Sequence, residues 1–470
     1  MGIKVRIQVI VEHDDGYETE LVEEVGCLQR GDLLPESLGM SLDEGKQLLA
    51  NMQRCIVQQQ IEAFIAKQRY CGNCGWQHRR KEHKSIVMRT VFGKLQLESP
   101  RLYTCVCQQN QKRSFSPLAD RLPERTTPEL KYLQTKWASL MSYGLTTDIL
   151  EEVLPIQANT KTIRRQVHQV AEKMEAELGA EQPSFVEGIF MIWDQLPEPD
   201  PPLTVGIDGG FVHAREGDNR KAGWFEVIVG KSIPEIGDTK RFAFVNKFDE
   251  KPKRRLYETL KTQGLAMHQE ITFLSDGGDT VRNLQAQISP YAEHILDWFH
   301  VTMRITMMRQ MAQKFLTLPG LANLDLKLES VKWYLWHGNV FRAQQHLRWI
   351  YMDLEVFEEE DIPHKKQFRR LCRAVDEFET YITLNEPFIP NYGERHSYGE
   401  PISTAFVEST VNEVISRRMV KKQQMRWTQK GAHLLLQVRT RALNDDLKDT
   451  FCRWYPGMVA TSTSELPLAV

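Results

Sequence analysis

The stretch ITFLSDGGDTVRNLQAQISPYAEHILDWFHVTMRI, residues 271–305, decides the fold. An apolar run ends in Asp276, the Gly277-Gly278-Asp279 turn opens a helix, a second apolar run ends in Asp297, and another helix begins near Trp298. Strand, helix, strand and helix in so few residues predict two parallel strands, since parallel neighbours need a crossover that a helix can supply. Two carboxylates then stand at the carboxyl ends of adjacent strands, the edge where open α/β sheets place their ligands. A third is Asp208, which follows the apolar run Leu203 to Ile207 in LTVGIDGGFVHA. A carboxylate held on a rigid strand end suits metal ligation.

Working outward, WFEVIVGKSI and RFAFVNKF read as two further strands separated by the turn at 234–238, and 251–267 reads as a helix. A three-strand meander, a helix, then alternating strand and helix is the layout of a ribonuclease H-like domain. That fold sets one carboxylate within its first strand and another at the end of its fourth, where Asp208 and Asp276 fall. Asp279 competes with Asp276 but fits a helix cap better. From about 301 to 392 the pattern is helical, and Trp333, Trp336, Phe341, Trp349 and Tyr351 read as core. Its basic run His364, Lys365, Lys366, Arg369, Arg370 and Arg373 reads either as the lining of a DNA channel or as a solvated helix face.

A loop-rich stretch, 385–404, precedes a helical segment that starts at Ala405 and carries Glu408. Between Ser409 and Leu443 stand eight basic residues, Arg417, Arg418, Lys421, Lys422, Arg426, Lys430, Arg439 and Arg441, against one acid, Glu413. Glu413 competes with Glu408 but lies five residues on, off the same helix face. Trp427 reads as packing, with stacking on an extruded base as the other reading.

The chain has 470 residues, enough for about three domains, and its 41% hydrophobic and 26% charged content is that of a globular protein. No apolar run approaches the roughly 18 residues of a membrane span, and the start MGIKVRIQVI lacks a signal-peptide layout, so a cytoplasmic protein is expected. A net charge of −2 does not by itself point to nucleic acid, so basic patches have to be found locally.

Residues 1–70 read as a β-hairpin and a helix opened by the capping box Ser41 to Glu44. In 71–116, Cys71-Gly72-Asn73-Cys74 and Cys105-Val106-Cys107 flank two strands with a turn at Gly93. Four thiols on two knuckles suit a structural zinc in a small β module, and four reduced thiols are the other reading. Cys27, Cys55, Cys372 and Cys452 are scattered and read as small hydrophobes. After a proline-rich linker, 128–180 reads as a helix at 129–143, a short helix at 145–153, and a third capped by Asn159 that carries Lys161, Arg164 and Arg165. That is a helix-turn-helix plan, which sets its second helix in the major groove, though any three-helix bundle shares it.

Taken together, IDGGFVHA, FLSDGGD, HILDWFH, FVESTVNEVISRR and MRWTQKGAHLLLQVR resemble, in order and context, the motifs of bacterial insertion-sequence transposases of the Mutator-like DDE superfamily, in particular the Kra-type group. The resemblance implies a multidomain α/β protein: a ribonuclease H-like catalytic core at 203–300 and 396–445, interrupted by an all-helical insertion at 301–395 and followed by a tail at 446–470. A small β, zinc-ribbon-like module and a helix-turn-helix precede that core. It implies Asp208, Asp276 and Glu408 as catalytic acids holding two Mg2+ or Mn2+ ions, and Asp297 and His300 as an accessory D-x-x-H pair. Structural Zn2+ is expected on Cys71, Cys74, Cys105 and Cys107. DNA contacts are expected from Lys161, Arg164, Arg165, Arg417, Arg418, Lys421, Lys422 and Arg426. The expected activity is cleavage at terminal inverted repeats and strand transfer to target DNA, by a homo-oligomer on DNA in the bacterial cytoplasm. The rival readings are a DNA-binding protein that keeps the fold without cutting, and a plain ribonuclease H-like nuclease.

Overall fold

The computed structural model describes residues 2–11, 21–108, 113–183, 185, 202–215, 223–266, 269–278, 284–285, 288–289, 292–357, 363–420 and 426–458. It divides into two compact units, Met1–Val170 with Asp445–Val470, and Ala171–Asn444. Among the described residues no helix is long and apolar enough to cross a membrane.

In the first unit, β1 (Ile3–Val11) and β2 (Leu21–Arg30) form an antiparallel pair. Helix α1 (Leu42–Gln68) starts at the expected capping box: Ser41 Oγ accepts from Glu44 N at 3.2 Å, and Ser41 N donates to Glu44 Oε2 at 2.9 Å. Strands β3 (Arg80–Thr90), β4 (Gly93–Tyr103) and β5 (Ser114–Phe115) make an antiparallel sheet with β4 in the middle. Alternate residues of β4 are buried, and Leu95 and Leu97 pack with Val57, Ile61 and Phe64 of α1. Helices α2 (Pro117–Arg121), α3 (Pro128–Leu140), α4 (Tyr143–Val153) and α5 (Thr160–Glu177) follow. The helix expected to run on to Tyr143 ends at Leu140 because Ser142 caps α4, its Oγ accepting from Leu145 N at 3.2 Å. The boundary between the units falls within α5.

The second unit is built on a five-stranded sheet. Its strands are β6 (Leu203–His213), β7 (Trp224–Pro234), β8 (Lys240–Val245), β9 (Ile271–Ser275) and β10 (Glu293–Leu296), and their order is β10-β9-β6-β7-β8. The first three make an antiparallel meander, while β9 joins β6, and β10 joins β9, in parallel. Helix α6 (Pro252–Lys261) follows β8 and ends before the expected 267. The helix expected after Asp279 lies outside the described residues.

The helices after the sheet are α7 (Trp298–Ala312), α8 (Leu324–Trp336), α9 (Val340–Glu355), α10 (Lys365–Leu384) and α11 (Tyr392–Ser397). Their apolar core is continuous with Leu274, Ile295 and Leu296 of the sheet. Two of the aromatic residues expected in it, Trp336 and Tyr351, do pack there. Trp333, Phe341 and Trp349 do not: they are exposed. Helical periodicity says which residues share a face, not which of two apolar faces meets the core. The chain then forms α12 (Ala405–Val411), continues as a π-helix over Asn412–Val420, and ends the unit with the largely buried α13 (Gln429–Leu443).

Candidate active site

Register alone assembles the acids. Strands β6 and β9 pair Leu203 with Ile271 and Gly206 with Leu274, so two residues further along Asp208 comes opposite Asp276. Strands β9 and β10 pair Ser275 with Leu296, so one residue further Asp276 comes opposite Asp297. The ladder continues to that level, since Asp297 N donates to Ser275 O at 2.8 Å. Three aspartates thus form one row across three parallel strands, each strand about 4.8 Å from the next.

Each carboxylate is held locally. Asp208 Oδ1 accepts from Gly209 N at 2.7 Å, and Asp276 Oδ1 from Gly278 N at 3.1 Å across a turn in which Gly277 takes φ +82°. Asp297 is fully buried. Its Oδ1 accepts from Phe299 N and from Thr404 N, both at 2.9 Å, which caps α7 and also fixes the residue before α12. Its Oδ2 accepts from the Thr404 hydroxyl and meets His300 Nδ1 at 2.6 Å. One side chain thereby ties the end of β10, the imidazole on α7 and the start of α12.

Helix α12 carries Glu408. Side chains alternate along a strand, so Gly206, Asp208 and Gly210 share one face of β6. A Cβ at Gly206 would collide with Val407 and Phe406, and one at Gly210 would come 2.7 Å from Ile415 Cδ1. Glycine on either side of Asp208 therefore lets α12 and the π-helix lie directly on the strand. Glu408 follows Val407 on that helix and is exposed. Its rival Glu413 is engaged elsewhere, with Arg241 Nε 2.9 Å from its Oε2.

The electrostatics follow from this crowding. Burial, together with the charges of Asp276 and Asp297, raises the Asp208 carboxyl above the ordinary range. For Asp297 burial works the same way but is outweighed by the hydrogen bonds from His300 and Thr404, and the carboxyl is lowered. The hydrogen bond to Asp297 raises His300 against its own burial, and Asp208 and Asp276 add to that. Among the described residues, His300 is the one basic side chain bonded to the row, through Asp297.

Three residues near the row were not legible in the sequence. Arg304 lies one helical turn beyond His300, its guanidinium 4.1 Å from the ring centre of Tyr381, and Tyr381 sits in the field of Arg304, Asp276 and Asp297. Asn385 occupies the space a Cβ at Gly277 would need, and its Nδ2 donates to Tyr381 O at 2.8 Å. The i, i+4 spacing from His300 to Arg304 was the one available signal; the contacts from α10 are tertiary.

Two sets of metal-capable side chains have ligand atoms within 4.8 Å of one another among the described residues, and the row with Glu408 is not one of them. The first is Cys71, Cys74, Cys105 and Cys107, with sulfur separations of 3.4, 3.2, 3.3 and 3.7 Å around the cluster. A tetrahedral ion with bonds of about 2.3 Å spaces its sulfurs by about 3.8 Å, so the donor set fits one. The Cys71 knuckle is closed by Gly75 N donating to Cys71 O and by Cys71 N donating to Trp76 O, both at 2.8 Å. N–H groups of Asn73 and Cys74 bring the Cys71 thiol down to about 7, while Cys105 and Cys71 drive Cys107 well up. The second set, Glu175, Asp249 and His433, already holds Arg255, whose guanidinium meets Asp249 Oδ2 and Glu175 Oε1 at 2.9 Å each. That arrangement is a buried ion-pair network rather than a metal site.

The expected DNA contacts divide. Lys161, Arg164 and Arg165 are exposed together on α5, behind Asn159, whose Oδ1 accepts from Lys161 N at 2.9 Å. Arg417 and Arg426 are exposed, and Lys421 and Lys422 lie outside the described residues. Arg418 departs from the expectation: it is 1% exposed, with its guanidinium 5.3 Å from the ring centre of the buried Trp427, so it packs rather than facing DNA. Arg439, from the same basic stretch, is buried as well and donates to Val414 O and Glu413 O. Part of that charge is therefore used inside the fold, closing the π-helix.

No protein-family profile matches the chain, and no curated protein matches it in sequence. Among solved structures it is similar to the Drosophila P element transposase strand transfer complex, at 11% identity over 72% of this chain and 95% of that one, with a TM-score of 0.30. Crystal structures of NurA, and of NurA with manganese, are matched at 14% and 12% identity over 55% and 54% of this chain and 74% of each, with TM-scores of 0.10. Superpositions this loose carry no argument, so the functional reading rests on the chain's own residues.

Proposed function

We propose that the chain is a DNA transposase of an insertion sequence, with a ribonuclease H-like core that cuts at terminal inverted repeats and joins the freed ends to target DNA. One observation carries the reading above all: Asp208, Asp276 and Asp297 share one row across three parallel strands, with the His300 imidazole bonded to Asp297. The strand order β10-β9-β6-β7-β8, an antiparallel meander extended by two parallel strands, supports the ribonuclease H-like assignment.

In this reading Asp208, Asp276 and Glu408 hold divalent cations, Mg2+ or Mn2+, and the raised Asp208 carboxyl is what such a cation would relieve. Bound there, two ions would supply an activated water or 3′ hydroxyl and a stabilised leaving oxygen. His300, oriented by Asp297, and Arg304 offer positive charge to the phosphates of the strand being cut. Asp297 also anchors the start of α12, the helix that bears Glu408 and packs on β6 through Phe406 and Val407. Zinc on the four cysteines would stabilise the small β module. Lys161, Arg164 and Arg165 on α5 would contact the ends, in a cytoplasmic protein acting on the nucleoid as an oligomer.

The test is cleavage of labelled duplex carrying the gene's natural flanks by the purified full chain in Mg2+ or Mn2+, compared with Asp276→Asn. Wild type should nick at defined positions and leave 3′ hydroxyls, with the variant slower by at least about a thousandfold, equivalent to about 4 kcal/mol. Binding to the flanks without cutting by wild type would favour the non-catalytic DNA-binding protein instead.

A further inference from the structure

The hairpin of α8 and α9 has two apolar faces, and its own fold uses one. The inner face carries Leu328, Val331 and Leu335 on α8 and Ala343, Leu347, Ile350 and Leu354 on α9, all fully buried. The outer face carries Leu326 and Trp333 on α8 and Phe341, Trp349 and Met352 on α9 with Val356 at its C-cap, each between 46% and 69% exposed. At about 100° per residue the four on α9 and its cap fall within an arc of about 80°, and the two on α8 within about 20°. The helices are clasped between these faces by the Lys327–Asp353 ion pair and by the His346 ring, which contacts both Tyr334 and Trp349. Both outer stripes consequently look away from the core on the same side of the hairpin.

We propose that this outer face is a two-fold interface with a second copy of the chain, hairpin against hairpin, with Trp333, Phe341 and Trp349 at its centre. The area argues for a protein partner. Taking about 150–250 Å² for a whole aromatic side chain and somewhat less for an aliphatic one, the exposed fractions amount to roughly 700 Å². That exceeds the roughly 300–600 Å² of the largest patch on an ordinary monomer and approaches the ~800 Å² each partner contributes to a standard interface. The charge favours a protein partner over nucleic acid. Lys327 is paired with Asp353 and Arg348 with Glu379 on the same chain, while Arg342, beside Phe341, is bonded to the neutral Gln345. One uncompensated cation falls short of the several that phosphate contact needs. The inference deepens the transposase reading, which calls for two chains to hold two DNA ends, and its test involves no cleavage.

Sedimentation velocity of the full chain at micromolar concentration, without DNA, decides it. Wild type should run as a dimer and the double variant Trp333→Glu, Phe341→Glu as a monomer with an unchanged melting temperature. If the double variant melts early, the milder pair Met352→Gln, Val356→Thr serves instead, with the dimer Kd expected to rise at least tenfold. A monomeric wild type, or variants that remain dimers with unchanged Kd, overturns the proposal. So does a monomeric wild type whose affinity for duplex DNA drops tenfold in the double variant, since the occupant is then nucleic acid. A dimer abolished by the variants, in a chain that never cuts DNA, would sink the transposase reading and leave the interface standing.

Discussion

Glu175 and Asp249 face a guanidinium of their own chain, whereas in the row of Asp208, Asp276 and Asp297 an imidazole meets Asp297 alone. Both groups of acids are at least partly buried in the second unit, and both bear on elements that pack on the sheet. In the first, Arg255 is buried, bonded to Asp249 and Glu175, and its Nη1 also donates to Gln437 Oε1 at 2.6 Å, which joins α5, α6 and α13. In the second, the chain sets acids side by side on adjacent strands, and among the described residues only Asp297 has a basic side chain bonded to it. Proximity of carboxylates is therefore a poor guide to function taken alone. What distinguishes the two places is whether the protein supplies the countercharge.

The sharpest way to break the comparison is to remove the internal cation. Arg255→Met should lower stability by about 3–5 kcal/mol, read as a shifted denaturant midpoint, because it strands two buried carboxylates. A loss below about 1 kcal/mol would mean that the network is not what holds α5 and α13 to the sheet. A smaller effect is expected from Glu175→Gln, and it depends on pH. Burial pushes Glu175 up, but the hydrogen bond from His433 and the charge of Arg255 outweigh it and bring its pKa from 4.5 to about 2. A carboxylate lowered in the folded state contributes stability above its unfolded pKa and loses it as pH falls through the folded value. Wild type should therefore exceed the variant by at most about 3 kcal/mol near neutrality, and the two melting curves should converge between pH 4.5 and about 2. Parallel curves through that window would show that Glu175 is not ion-paired.

The comparison also marks what the sequence could reveal. The acid row was legible because it is one-dimensional: apolar runs lead into Asp208, Asp276 and Asp297, and parallel pairing then fixes the register, although β6 continues past Asp208 to His213 where a strand end was expected, because β7 pairs with it along that whole length. The cysteine cluster was legible for a similar reason, since C-x-x-C and C-x-C place sulfurs on turns. Arg255 was not legible, because apart from Asp249, six residues before it, its partners Glu175 and Gln437 lie 80 and 182 residues away. Arg418 misled for a related reason. A run of basic residues gives the net charge of a stretch but not its direction, and here the π-helix turns Arg418 inward onto Trp427 while Arg417 stays outside. The outward Trp333 and Phe341 misled in the opposite sense, because an apolar residue at helical spacing carries no label for which apolar face it belongs to.

The smallest expected effect has the opposite sign. Asp208 is raised by burial and by the charges of Asp276 and Asp297, so near neutrality the fold bears the cost of ionising it. For a carboxyl raised in the folded state that cost is absent below the unfolded pKa and grows as pH rises through the folded one. An asparagine in its place would keep the shape and the acceptor for Gly209 N while removing the charge, so Asp208→Asn should raise stability by on the order of 1 kcal/mol in buffer free of divalent ions. Added Mg2+ or Mn2+ should stabilise wild type and not the variant, which narrows or reverses the difference. The same substitution would then stabilise the protein while removing cleavage, the signature of a residue kept for chemistry rather than for the fold. If Asp208→Asn instead destabilises the protein with or without the cation, the row belongs with the Arg255 network as a structural device, and the contrast between the two clusters collapses.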